Sequence, residues 1–311
     1  MRLGSNAAAC VTALVLHNRR VLPGRERSSR RASERSRMVS SQFRPESSVV
    51  AEVRPSPNHG ERNASPDMIV LHYTGMPNDE DAINHLCNPA TEVSAHYVVL
   101  QDGYIVQLVA EARRAWHAGA SSWAGESDIN SRSIGIEIAN PGHDHGYPAF
   151  PKRQVAAVTA LCRSILSRHQ IAADRVLAHS DIAPSRKRDP GEKFPWKALA
   201  DSGIGLWVKP TPMTQAGLVF TLGDSNPAIA ETQALLASFG YAVTASGHLD
   251  GATRDAVAAF QRVKDGMPFY IDQARSSRPV RTHHLGGFQP ARIDIQSVAG
   301  ANDHGALHEV L

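Results

Sequence analysis

The chain has 311 residues, 42% of them hydrophobic and 20% charged, enough for a catalytic domain of ~100–200 residues with a real core plus a smaller partner. No stretch reaches the roughly 18 consecutive apolar residues of a membrane-spanning helix. The net charge of +3 is concentrated in one place: Arg19, Arg20, Arg25, Arg27, Arg30, Arg31, Arg35 and Arg37 crowd the leader, against Glu26 and Glu34. A basic tail on a near-neutral body does not point to a nucleic-acid partner.

Residues 1–48 read as a disordered basic leader. Its apolar run Ala7–Leu16 lacks the flanks of a signal peptide, because Arg19 and Arg20 stand where a small-residue cleavage site belongs. The natural start is expected at Met38. Cys10, Cys87 and Cys162 form no CxxC pair and leave an odd count, which argues against a disulfide framework and against a thiolate metal site. Cys87 and Cys162 fall on apolar faces of predicted helices and are expected as buried, reduced thiols.

The texture changes at Val49, and residues 49–208 read as one catalytic domain. Met68–Tyr73 has the length of a strand. Asn78 is placed to cap a helix whose first turn carries Asp79, Glu80 and Asp81, which suit the helix dipole, and which stops before Pro89. His96–Gln101 and Tyr104–Val109 flank Asp102-Gly103, a hairpin signal. Ser133–Ala139 is a further strand, with Ile134, Ile136 and Ile138 alternating onto one face. Lys152–Gln170 has helical spacing of Val155, Val158, Cys162, Ile165 and Leu166, and Val176–Ala178 returns as a strand. A hairpin together with crossover helices predicts an α/β fold: a mixed central β-sheet flanked by helices. Residues 209–223 read as a linker and 224–266 as a small helical module, with helices over Pro227–Phe239 and Thr253–Lys264. Residues 267–311 read as an irregular tail.

His72, His179 and Asp189 each stand at the end of a predicted strand or in the loop beyond it, where side chains converge on a cleft. Two neutral imidazoles and a carboxylate are a catalytic zinc set that leaves a fourth position for water. Pro190 biases Asp189 to an extended backbone. Glu137 lies on the strand face opposite the isoleucines. A carboxylate in so apolar a run is either paired at an edge or a general base for a metal-bound water. Arg186, Lys187 and Arg188 form a basic loop beside Asp189; an inward ammonium there stabilises a developing oxyanion, and spacing alone does not choose among the three.

Five segments, LHYT at 71–74, SAHYVV at 94–99, AWHAG at 115–119, SIGIEI at 133–138 and AHSDIAPSRKRDPG at 178–191, together resemble the zinc-dependent N-acetylmuramoyl-L-alanine amidases, in order and in spacing. The resemblance covers roughly residues 49–207 and implies the fold shared by phage amidases and peptidoglycan recognition proteins. It implies Zn2+ on His72, His179 and Asp189, Glu137 as catalytic base and Lys187 as oxyanion stabiliser. His117 matches a position lining the substrate cleft, and its role stays open between substrate contact and hydrogen-bonded scaffold. His96 is expected to be structural or cleft-lining. The implied reaction is hydrolysis of the amide between N-acetylmuramic acid and L-alanine in peptidoglycan or muropeptides. The alternative from another class is a non-catalytic peptidoglycan-recognition protein. The C-terminal helices resemble a small peptidoglycan-binding module, but the further apolar helix that normally completes its core is replaced by MPFYIDQARSSRPVRTHHLGG. The expected location is cytoplasmic, with periplasm or cell envelope as the alternative.

Overall fold

The computed structural model describes residues 43–208 and 220–265. The leader as far as Gln42, most of the linker and the C-terminal tail lie outside the described residues, and Met38 and Cys10 with them. Ordered contacts begin ahead of Val49: the Glu46 N–H donates to Gln107 Oε1, and the Ser47 hydroxyl donates to Ser164 Oγ.

In chain order the strands are β1 (Glu52–Val53), β2 (His59–Glu61), β3 (Met68–Tyr73), β4 (Tyr97–Val99), β5 (Ile105–Gln107), β6 (Arg113–Ala115), β7 (Ser133–Ile138) and β8 (Val176–Ala178). The helices are α1 (Asp79–Cys87), α2 (Ile129–Arg132), α3 (Lys152–Leu166), α4 (His179–Ile182), α5 (Trp196–Asp201), α6 (Pro227–Phe239) and α7 (Gly251–Phe260). The main sheet has six strands in the order β1-β5-β4-β7-β3-β8. β4, β7, β3 and β8 run parallel, and β5 turns back antiparallel to β4 through the Asp102-Gly103 hairpin. The sheet is therefore mixed, as the sequence predicts. β2 and β6 pair separately.

β3 lies between two parallel neighbours and is buried on both faces, which is why it is apolar almost throughout. Ile69 and Leu71 join Ile134, Ile136 and Ile138 on the face covered by α3 through Val158, Leu161, Cys162 and Ile165. Gln154 of α3 donates to the carbonyls of Val99 and Ala139 at 3.0 and 2.9 Å, tying the helix to the ends of β4 and β7. On the opposite face α1 packs Ile83 and Leu86 against Val98, Val106 and Leu108. Asn78 caps α1 by accepting from the Glu80 and Asp81 N–H groups. Beside α1 this face is open at the carboxyl end of β3, in a cleft bordered by Tyr73, Ala82, His85 and Leu86.

The C-terminal helices are not a free-standing hairpin. Ile229, Leu236 and Phe239 of α6 and Val257 and Phe260 of α7 share one core with Met68, Val70, Leu177 and Trp123. The sheet face and Trp123 thus supply apolar surface on which these two helices close their core. Trp123 is the keystone, edge-on to Tyr241 at 4.9 Å and to Phe239 at 6.0 Å. Gly240 has φ +129°, and a Cβ there would lie 2.5 Å from the Trp123 ring; only glycine permits this contact.

Two expectations need correcting. The long helix ends at Leu166, short of Gln170, because the chain winds into a turn that brings Arg168 and His169 onto Glu111. Cys162 is buried, whereas Cys87 is only half-buried, with its thiol 3.7 Å from the Arg54 carbonyl oxygen.

Glu111 is buried and accepts from Arg168 Nη2 at 2.6 Å, His169 Nε2 at 2.7 Å and the Tyr97 hydroxyl at 2.6 Å. Burial alone raises its pKa, but the hydrogen bonds from Arg168, Tyr97 and His169 outweigh it and the net shift is downward. The stability so gained is fully present above the ordinary value of 4.5 and is lost as pH falls through the lower folded value. Urea unfolding as a function of pH tests this. Glu111→Gln is expected to lose about 1–3 kcal/mol at pH 7 and to show a flatter decline below pH 4.5 than the wild type.

Candidate metal centre and catalytic cleft

β3 and β8 are parallel neighbours paired as far as Leu71 and Ala178. The next residue along the chain in each case is a histidine, so His72 and His179 stand side by side at the carboxyl end of the two strands. β8 passes directly into α4, whose first residue is His179. The loop after α4 turns on the Ala183 carbonyl, which accepts from the Arg186 and Lys187 N–H groups. It then returns so that the Ser180 N–H donates to the Asp189 carbonyl at 3.0 Å, and this brings the Asp189 carboxylate back over the strand ends.

The convergence is tight. His72 Nδ1 lies 2.8 Å from His179 Nδ1, and Asp189 Oδ2 lies 3.0 Å from His179 Nδ1 and 3.3 Å from His72 Nδ1. All three residues are buried. Burial first, and the neighbouring His179 second, lower the His72 pKa to about 4, so its imidazole is neutral at physiological pH. Burial alone raises Asp189, but the adjacent His179 and His72 more than cancel it and hold the carboxyl far below its usual range. His179 Nε2 faces the Ala118 carbonyl at 3.1 Å and must donate there, which leaves its Nδ1 as a lone pair. Two nitrogens and one carboxylate oxygen at these separations, with open space on one side, fit a tetrahedral zinc with a free fourth position. They are also the one set of three or more such side chains among the described residues arranged to hold a metal.

The open side is a cleft of about 360 Å³, lined among others by Tyr73, Trp116, His117, Glu137, Lys187 and Asp189. Glu137 is paired in register with His72 across β3 and β7, on the same face of the sheet. Its Oε2 is buried and has no hydrogen-bond partner among the described residues. Burial, then the negative charge of Asp189, push its pKa well above the usual carboxylate value, and Lys187 opposes them. The structure also distinguishes the three basic residues of the loop. Arg186 Nη2 donates to the Ala118 and Ala120 carbonyls, and Arg188 pairs with Asp144 at 2.9 Å. Lys187 makes no ion pair among the described residues, and its charge acts on both His72 and Glu137.

Residues 62–192 match the N-acetylmuramoyl-L-alanine amidase family, and residues 225–265 match a peptidoglycan binding domain. The N-acetylmuramoyl-L-alanine amidase AmiD of Escherichia coli (strain K12) is 37% identical over 191 residues, 57% of this chain and 67% of AmiD. The 1,6-anhydro-N-acetylmuramyl-L-alanine amidase AmpD of Salmonella typhimurium (strain SL1344) is 35% identical over 174 residues, 49% of this chain and 90% of AmpD. The chain belongs to the N-acetylmuramoyl-L-alanine amidase family. Its fold matches the solved structure of E. coli AmiD in complex with anhydro-N-acetylmuramic acid-L-Ala-D-gamma-Glu-L-Lys. That match has a TM-score of 0.57 and 29% identity, covering 78% of this chain and 91% of that one.

In this amidase the cluster of His72, His179 and Asp189 is joined by Glu137 and Lys187 at the same cleft. His117 also faces the cleft, yet both of its ring nitrogens are engaged within the protein, Nδ1 with His72 Nε2 at 3.0 Å and Nε2 with Ser133 Oγ at 3.1 Å. His96 is fully buried, with the Gly135 N–H donating to its Nδ1 at 2.9 Å. Sequence reasoning overlooks Asn130 and Ser133. Asn130 Oδ1 accepts from the His117 and Ala118 N–H groups at 3.0 and 2.8 Å and so pins the loop that orients both imidazoles. Nothing in its local sequence marks it. Ser133 carries a legible signal: it shares the strand face of Gly135 and Glu137 by period two.

Asp189→Ala and His179→Ala are each expected to lose stoichiometric zinc on dialysis against metal-free buffer while keeping their secondary structure. Elemental analysis with circular dichroism checks this, and full zinc retention by either variant contradicts the ligand set.

Proposed function

We propose that this protein hydrolyses the amide bond between N-acetylmuramic acid and L-alanine in peptidoglycan or its muropeptide fragments, with zinc held by His72, His179 and Asp189. The observation that carries the reading is the buried, unpartnered Glu137 carboxylate oxygen beside that three-residue cluster in an open cleft. A bound zinc supplies Lewis-acid polarisation of the scissile carbonyl and brings the pKa of a water toward ~7.

The chain's own residues do the rest. Glu137 takes the proton of the attacking water at its free Oε2 and delivers it to the departing L-alanine nitrogen. That transfer requires an oxygen with no competing donor, and Oε2 accepts no hydrogen bond among the described residues. Lys187, whose ammonium makes neither an ion pair nor a hydrogen bond among the described residues and which lines the cleft, neutralises the charge that builds on the lactyl carbonyl oxygen. Arg186 and Arg188 are committed elsewhere and contribute positive potential at the rim. Trp116 and Tyr73 form walls of the same cleft and offer aromatic surface to a bound muropeptide.

Purified protein supplied with muropeptides is expected to release stem peptides beginning at L-alanine, and a chelator is expected to stop the release. Mass spectrometry of the products reads both. Release of fragments cut within the stem peptide contradicts the assigned bond. Glu137→Gln is expected to lower kcat by ~100- to 10,000-fold and Lys187→Met by ~100- to 1000-fold, both with zinc still bound. Near-normal turnover in either variant removes that residue from the mechanism.

A further inference from the structure

We propose that Ser133 and His117 are positioning residues that fix the tautomer of His72 through a one-way hydrogen-bond relay, so that His72 offers a lone pair at Nδ1 before any metal arrives. The inference rests on the reading of His72, His179 and Asp189 as a zinc site.

The direction of the relay follows from counting protons. The Ser133 hydroxyl is buried and lies 2.6 Å from the Ile129 carbonyl oxygen. A carbonyl only accepts, so the single hydroxyl proton is spent there. Ser133 Oγ therefore has only lone pairs to offer His117 Nε2 at 3.1 Å, and that nitrogen must carry a proton. A neutral imidazole has one N–H, which makes His117 Nδ1 the acceptor. His72 Nε2, 3.0 Å away, is then the donor, and His72 Nδ1 is left as a lone pair facing Asp189 and His179 Nδ1. Reversing any link sets two donors or two acceptors against each other.

An independent observation shows that the fold makes room for this ring. A Cβ on Gly135 would lie 2.4 Å from His117 Cγ, so the strand between Ser133 and Glu137 needs a glycine where the imidazole crosses it. The two metal ligands are thus oriented by different devices on one loop. His179 uses the Ala118 carbonyl directly, whereas His72 reaches the Ile129 carbonyl through two intervening side chains. The short helix α2 anchors both, because Asn130 pins the loop backbone and Ile129 takes the terminal proton.

The test uses the full chain with its metal removed. Two-bond nitrogen–proton couplings of the ¹⁵N-labelled imidazoles are expected to show the His72 proton on Nε2 in metal-free wild type. Ser133→Ala is expected to give a mixed tautomer at His72 and zinc binding ~10- to 100-fold weaker by chelator competition. His117→Gln, whose amide accepts at oxygen and donates at nitrogen, restores near-wild-type affinity, whereas His117→Leu does not; thermal melts establish that each variant is folded. A His72 proton on Nδ1 in metal-free wild type, or a folded Ser133→Ala binding zinc as tightly as wild type, overturns the relay. Wild type that shows the expected tautomer but binds no zinc sinks the metal reading and leaves the relay standing.

Discussion

Two imidazole nitrogens and a carboxylate oxygen held within 3.3 Å of one another repel unless a proton or a cation lies between them. Here the protons are committed elsewhere. His179 gives its proton to the Ala118 carbonyl, and the relay directs that of His72 toward His117. The site is preorganised for a cation by the surrounding hydrogen bonds, and the cost of assembling it falls on the fold, before any ion binds. Parallel pairing of β3 with β8 sets the two histidines side by side, and the loop after α4 closes the third corner.

That demand explains how the rest of the molecule is arranged. One face of the sheet is sealed by α3 over a continuous aliphatic layer, which gives β3 and β7 the rigidity that a metal site needs. The other face is divided among α1, the cleft and the C-terminal helices. Those helices complete the core under the site: Trp123 packs into them, and the Tyr241 hydroxyl donates to Asp181, two residues beyond His179. The segment that matches a peptidoglycan binding domain therefore also buttresses the helix that carries a metal ligand.

Much of this was legible in the sequence, for identifiable reasons. The apolar run of β3, the Asn78 cap, the Asp102-Gly103 turn and the alternating isoleucines of β7 are local signals, and each element formed where its pattern stood. Placing Glu137 beside His72 needed the strand register as well as the period-two face, and register is a tertiary fact. Spacing alone did not choose Lys187 over its arginine neighbours, and only the family resemblance pointed to it, because the choice depends on what Arg186 and Arg188 bind across the cleft. The shared core around Trp123 was hidden for the same reason: a lone tryptophan in a polar loop carries no periodicity that names its partner. Helix α3 ended early because Arg168 and His169 serve a buried Glu111 far away in sequence, which no helical pattern encodes.

On this reading the convergence of lone pairs binds zinc through two imidazoles and one carboxylate. X-ray absorption at the zinc edge of the purified, reconstituted protein tests it most directly. Zinc on His72, His179 and Asp189 gives a four-coordinate shell of nitrogen and oxygen at about 2.0–2.2 Å, with two imidazole scattering patterns and no sulfur. A sulfur shell, a six-coordinate oxygen shell, or zinc that does not remain with the protein would contradict it.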